Sequence, residues 1–297
     1  MFGKLFGRYL LDKKRITEEQ FETISQQLDT VRVKLGTIAI AEGLLDVKTV
    51  EKINRLQGAH DKRFGDIAVE KGYLTNEQIE MLLSKQGNEY MQFLEIVVEN
   101  HIMTIDEVEE NLKKFAYETK ITEEELERIM NGQVEDIVGA MLKLNQKKYI
   151  EHYILVAKNI VRFIGDDFLI CDVKYVDRIE CKHLACQIVN GDEDLFLGIS
   201  GDAKALAEVA GIYAREKFDD MDEDAYDAIC EFINCVNGLF VTNICNEDED
   251  MELELMPPVF YDKCTLSGGK KFYVVTLRIN GKVLDVISAI DVEMIME

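Results

Sequence analysis

DAICEFINCVNGLFVTNICNEDEDMELELMP, running from Asp227 to Pro257, sets the reading of the whole chain. At 100° per helical residue, Asp227, Glu231 and Asn234 fall within an arc of about 60° and form one polar stripe. Tyr226, Ile229, Ile233, Val236 and Phe240 fall roughly opposite. The segment is expected to be a helix that buries an apolar face and displays a carboxylate and amide face. Gly238 also lies on the displayed stripe. A glycine there costs about 1 kcal/mol of helix stability relative to alanine, and it leaves room for a partner surface. After the helix, MELELM reads as a strand ended by Pro257-Pro258, the only prolines, which lack the N–H that a ladder needs.

The intervals are more specific than the stripe. Asp227, Glu231, Asn234 and Pro257 are separated by 3, 2 and 22 residues. This resembles the signature of the CheC/CheX/FliY family of chemotaxis phosphatases, which runs Asp or Ser, Glu, Asn and Pro at those intervals; a single copy makes it CheX-like. The resemblance implies an enzyme whose substrate is the phosphoaspartate of a CheY-like response regulator, which brings its own Mg²⁺ and lysine. Asn234 would then hold a water in line with the phosphorus, and Glu231 would pair with the regulator's lysine. An amide suits that task because it offers a donor and an acceptor at fixed geometry and does not titrate. Asp227 is auxiliary, Gly238 a docking position, and Pro257 architectural. Asn237 lies on a different arc and is not assigned to the site, and Cys230 and Cys235 are expected to pack. Family members of the CheX type pair through their sheets, so a homodimer is implied by resemblance only.

Composition bounds the alternatives. With 297 residues the chain has room for two domains, and 47% apolar residues supply real cores. A net charge of −23 argues against a nucleic-acid partner, because phosphate backbones select basic surfaces. Residues 148–297 hold 14 basic and 30 acidic side chains, net −16, against net −7 for the first 147. The opening MFGKLFGRYLLDKKR lacks the uninterrupted apolar core of a targeting peptide, and no stretch reaches the ~20 apolar residues of a membrane span. A cytoplasmic protein is the expectation. Seven cysteines without paired CxxC spacing suit reduced thiols. Cys181, His183 and Cys186 sit in a strand-like run and are read as packing residues, so no metal site is expected.

The first third repeats with a period of 29. Gly7, Gly36 and Gly65 correspond, as do Ile16, Leu45 and Leu74, then Phe21, Val50 and Ile79. A fourth, worn copy keeps Met103, Thr104 and Val108 but has Leu94 in the glycine's place. Each unit reads as two short helices, the second opened by Thr17, Asp46, Thr75 or Thr104, with Gln20, Gln78 and Glu107 completing capping boxes. Helical pairs of this size must stack to bury their apolar faces.

Lys34 to Gln57 and Arg63 to Gln86 form two 24-residue units with five residues between them. They resemble the N-terminal domain of type II secretion and pilus ATPases, whose MshEN variety binds cyclic di-GMP. Agreement is partial: Gly36, Gly43, Gly65, Gly72, Gln57 and Gln86 match, whereas Lys34 replaces an arginine and Phe64 a leucine. The resemblance implies a ligand site at Lys34, Gly36, Arg63 and Gly65, with cyclic di-GMP as ligand. Glycine-exposed N–H groups and the two basic side chains would meet phosphate oxygens. The alternative is that the glycines only shape helix turns. No GxxxxGK[ST] motif is present, which excludes the ATPase itself.

Residues 116–147 read as further helix, with Thr122 as a cap, and the pattern changes from Tyr149. HYILVAKNIVRFIG and ALAEVAGIYAREKF read as helices, and FLICDVKYV, IECKHLACQIV, DLFLGIS, KKFYVVTLRIN and KVLDVISAI as strands, the last two joined by an Asn280-Gly281 hairpin. The expected architecture is multidomain: an all-α helical-repeat domain over residues 1–115, a helical connector over 116–147, and an α/β CheX-like domain over 148–297 with helices packed on an antiparallel sheet. Two functions remain open at this point. One is an aspartyl-phosphate phosphatase with a regulatory N-terminal domain; the other is a non-catalytic signalling adaptor.

Overall fold

A computed structural model describes residues 1–28, 30–60, 62–144, 146–248 and 250–297, with the side chains of 58–60 left undescribed. The 29-residue period is a backbone repeat. Helices pair as α1 (Phe2–Asp12) with α2 (Glu18–Gln27), α3 (Leu35–Ala41) with α4 (Val47–His60), α5 (Phe64–Glu70) with α6 (Asn76–Ser84), and α7 (Glu89–Glu99) with α8 (Ile105–Thr119). Between the members of each pair one residue turns left-handed: Lys14, Gly43, Gly72 and His101, with φ of 54°, 66°, 70° and 53°. The following N–H reaches back five residues each time, from Arg15 to Leu10, Leu44 to Ala39, Tyr73 to Ala68 and Ile102 to Val97, at 2.8–2.9 Å. This Schellman closure satisfies the last carbonyls of each first helix. The fourth copy keeps it although its glycines are gone.

Thr17, Thr75 and Thr104 form the expected capping boxes, and Asp46 Oδ1 accepts from Thr49 N at 2.7 Å. Thr122 caps α9 (Glu123–Asn131) in the same way. The repeated glycines lie where paired helices cross. A Cβ at Gly36 would come within 2.6 Å of Val50, one at Gly7 within 3.2 Å of Phe21, and one at Gly65 within 3.3 Å of Ile79.

Packing divides the chain into Met1–Gln133 and Val134–Glu297, a break within the segment read from sequence as a connector. The second unit opens with α10 (Val134–Leu142) and α11 (Lys147–Phe163), which pack together. There follow β1 (Phe168–Gly191), β2 (Leu195–Gly201), α12 (Ala203–Ala214), α13 (Glu223–Glu247), β3 (Leu253–Leu255), β4 (Val259–Ile279), β5 (Lys282–Ile290) and β6 (Met294–Met296). All pairings are antiparallel, in the order β3-β1-β2-β5-β4-β6. Because β1 also pairs with β4, the four long strands close on themselves around Leu184, Cys186, Phe196, Leu266, Phe272 and Ile287.

Three sequence expectations are corrected here. FLICDVKYV and IECKHLACQIV are one strand, because register shifts at Ile170/Asp172 and Val176/Arg178 absorb the polar interruption as irregularities in the ladder. β4 starts at Val259, well before KKFYVVTLRIN, and its extra length continues the pairing with β1 from Arg178 to Cys186. Among the described residues α13 is long and apolar enough to cross a membrane by length and composition, against the expectation of no such stretch. Its apolar side, Ile229, Phe232, Ile233, Val236 and Phe240, is buried in the fold. The Asn280-Gly281 turn has φ of 47° and 80°, the doubly left-handed geometry of a tight hairpin, and joins Ile279 to its partner Lys282.

Candidate functional site

Helix α13 begins where Asp222 caps it, its side chain accepting from Ala225 N at 3.0 Å, with Glu223 and Asp224 in the first turn favouring the helix dipole. The apolar face is buried as its phase requires, with Val189 and Leu195 of the sheet packed against Phe240. Tyr226 is half-buried rather than fully inside and stacks on Phe260, ring centroids 3.6 Å apart. On the other face Asp227 and Glu231 are exposed and Asn234 is half-buried. Their spacing of four and three residues places them one above the other. A Cβ at Gly238 would meet nothing within 4 Å, so no internal contact demands a glycine there. Leu239, next to it, is one of the exposed large apolar side chains.

Asn234 is anchored from below. Gln187, on β1 and 1% exposed, donates through Nε2 to Asn234 Oδ1 at 2.7 Å and to the Met256 carbonyl at 2.8 Å. Met256 in turn donates its N–H to the Ile188 carbonyl at 2.9 Å. Pro257 follows directly, and a residue before proline is confined to extended backbone. Pro257 thus bears on the site through the carbonyl that precedes it. Its own ring is exposed.

Besides Gln187, two residues that the sequence reading left out belong to this arrangement. Asn237 is fully buried, and its Nδ2 donates to Gln187 Oε1 at 2.9 Å. His152 of α11 is also fully buried, its Nδ1 lying 2.7 Å from Ser288 Oγ, and desolvation pushes it down to about 4, partly offset by the neighbouring Asn237 amide. His152 is neutral at physiological pH. A signal for Asn237 was present in the sequence: it lies 40° from Ile233, at the margin of the apolar arc, where an amide needs a buried partner. Gln187 alternates with Ala185 and Val189 on an inward-facing register, but nothing local names its partner.

Three thiols, Cys181, Cys186 and Cys264, are buried, and Cys171 is exposed. All seven cysteines are free, and burial pushes Cys186 up to about 12 and Cys181 and Cys230 up to about 11, so none of these three is a thiolate at neutral pH.

In the first unit, Lys34, Gly36, Arg63 and Gly65 do come together, lining a cleft of about 810 Å³ with Arg32, Asn54, Gln57, Phe64, Leu83 and Gln86. Lys34 Nζ is held by Glu99 and by Glu95 at 3.5 Å, so its charge is already matched. Gly36 and Gly65 serve the close helix crossings described above. The closing glutamines tie the loops: Gln86 donates to the Val33 carbonyl at 2.7 Å and Gln57 to the Lys62 carbonyl at 3.4 Å.

The second unit is therefore an α/β domain that displays a carboxylate and a core-anchored amide on one long helix. Residues 184–277 match the family described as "Chemotaxis phosphatase CheX", and the unit carries a CheX domain there. A chemotaxis protein CheX from Desulfovibrio desulfuricans is similar in structure over 49% of this chain and 100% of that one, at 12% identity and a TM-score of 0.42. The CheX-CheY-BeF3-Mg complex from Borrelia burgdorferi is similar over 48% and 97%, at 19% identity and 0.38. FliY from Thermotoga maritima is similar over 50% and 93%, at 14% identity and 0.31. No curated protein matches the chain.

Proposed function

We propose that the α13 surface hydrolyses the acyl phosphate of a CheY-like response regulator. The observation that carries this is Asn234: half-exposed on a rigid helix, one turn after the exposed Glu231, and tied by its inner oxygen to a buried glutamine. The regulator brings the phosphoaspartate, its Mg²⁺ and a lysine. This chain adds position. Glu231 pairs with the regulator's lysine and orients the docked surface, Asp227 supports that contact, and the bare Gly238 lets the partner approach. Asn234 reaches the phosphoryl group and holds a water on the line of attack. A new bond forms between the water oxygen and phosphorus, the bond to the aspartyl oxygen breaks, and that electron pair returns to the regulator's carboxylate. Such catalysis is orientation and electrostatics, not covalent chemistry. The test is loss of label from phosphorylated CheY-type receivers. The wild type accelerates it and Asn234→Ala does not; unchanged decay with several receivers leaves a non-catalytic docking adaptor.

The cleft in the first unit favours a second, regulatory role for that unit. Its volume of about 810 Å³ lies in the range of small-molecule sites, and no ion pair to Arg32 or Arg63 occurs among the described residues. Cyclic di-GMP, with two phosphates and two stackable bases, is the ligand proposed. Arg63 then does more than Lys34. Calorimetric titration of the full chain with cyclic di-GMP tests this: binding lost in Arg63→Ala supports it, and no heat at high micromolar ligand refutes it. The homodimer is proposed to form through the sheet edges, where Leu255 of β3 and Ile295 of β6 are exposed. Sedimentation of an Ile295→Lys variant as a monomer against a wild-type dimer is the expected result.

A further inference from the structure

An apolar helix face has no use for Asn237, and a strand packed under it has no use for Gln187, unless the two act on something beyond themselves. Their hydrogen bonds have a direction that can be deduced. The Met256 carbonyl only accepts, so the group 2.8 Å from it must be the NH₂ end of Gln187. The same nitrogen spends its second proton on Asn234, 2.7 Å away, which must therefore present oxygen to it. Gln187 Oε1 then faces the Asn237 NH₂ at 2.9 Å. That leaves Asn237 Oδ1 and His152 Nε2 buried, each without another aligned partner and near enough for the amide to steady the imidazole. His152 Nδ1 lies 2.7 Å from Ser288 Oγ, a hydroxyl that can either donate or accept. Gln187, Asn234 and Asn237 each have one orientation, and the backbone carbonyl before Pro257 sets it.

We infer that Gln187 and Asn237 are positioning residues that hold Asn234 with its oxygen inward and its NH₂ outward, so that Asn234 meets its substrate as a hydrogen-bond donor. The inference rests on the phosphatase reading only for the identity of that substrate. A donor to the attacking water engages one lone pair and leaves the other for phosphorus. It cannot take the water's proton, which passes to a phosphoryl oxygen as the aspartyl bond breaks. Turning Asn234 over would set its NH₂ against that of Gln187, donor against donor.

The test uses the full chain with ¹⁵N in its Asn and Gln side chains. In the wild type the Gln187 and Asn237 amide protons exchange about 100-fold more slowly than free amides, and the Asn234 NH₂ stays within about tenfold of free. Asn234→Asp assigns the latter signal by removing it. A protected Asn234 NH₂ in the wild type overturns the inference without any variant having to fold. Gln187→Glu offers at most one proton where two are needed. Its Asn234 NH₂ is expected to turn inward and become about tenfold more protected, while kcat on a phosphorylated CheY-type receiver falls about tenfold with KM unchanged. Unaltered protection in that variant overturns the inference. If the wild type turns over no receiver, the phosphatase reading fails and the exchange pattern alone decides the orientation of Asn234.

Discussion

His152 makes the stability of the second unit depend on acid in a calculable way. Burial lowers it from 6.5 to about 4, and the groups around it, Ser288, Asn237, Tyr153 and the Phe240 ring at 4.8 Å, carry no charge to offset that. Below 6.5 the unfolded chain takes up a proton that the folded chain refuses. The stability present above that pH is therefore lost as pH falls toward the folded value. Linkage over these two values gives a loss of about 2 kcal/mol between pH 7 and pH 5, and about 3 kcal/mol by pH 4. Carboxylates titrate in the same range, so the comparison is with His152→Gln, which keeps an amide in place of the ring and cannot ionise. All seven cysteines lie between Cys171 and Cys264, so urea unfolding of the second unit can be followed by thiol exposure. A pyridyl disulfide, which reacts at acid pH, reads the buried Cys186. The wild type should lose about 2 kcal/mol more than His152→Gln between pH 7 and pH 5. Parallel curves for the two would refute the neutral buried imidazole.

Asn234→Asp keeps an acceptor for Gln187 but removes the outward donor; kcat should fall about 100-fold with little change in folding, and turnover within threefold of wild type would contradict the donor role. A Cβ added at position 238 finds nothing within 4 Å, so Gly238→Leu should project its side chain into solvent. Its urea midpoint should stay within about 0.5 kcal/mol of wild type while affinity for a receiver, read by fluorescence anisotropy, drops at least about tenfold. Gly191→Ala should destabilise the second unit by about 3 kcal/mol or more, because φ is +149° and the new Cβ would lie 2.0 Å from the Glu252 carbonyl oxygen. Thiol exposure in urea measures it, and a wild-type midpoint would refute the contact.

What the sequence carried well was local. The threonine caps, the Asn280-Gly281 hairpin and the amphipathic phase of α13 each depend on residues within one or two turns of one another. The strand lengths were less legible because polar residues such as Asp172, Asp177 and Arg178 interrupt the pattern of β1, and the ladder passes them through register shifts that no alternation rule marks. Lys34 read as a free cation because its neutralising carboxylates, Glu95 and Glu99, lie more than sixty residues away. Gly36 and Gly65 read equally well as ligand contacts or as turn-makers, and the side chains that cross over them, Val50 and Ile79, lie well outside either turn. The contact between Gln187 and Asn234 spans 47 residues and two kinds of element, so no window of sequence contains it.

That contact also explains why an amide and a proline 22 residues apart belong to one pattern. A buried chain of Ser288, His152, Asn237 and Gln187 gains little over apolar packing, since each polar group must first be stripped of water and an unmatched one costs about 1–3 kcal/mol. What such a chain supplies is a single orientation. It needs one terminus that cannot turn over, and a backbone carbonyl is such a group, provided the backbone carrying it is fixed. Pro257 fixes it by confining Met256 to extended backbone, while the Met256 N–H holds on to β1 at Ile188. Replacing Pro257 by alanine leaves the carbonyl present but frees its direction, so the Asn234 amide should lose its fixed sense before the fold loses stability. A fall in kcat that exceeds any change in urea midpoint would show this, and a variant that loses both together would assign Pro257 to the fold alone.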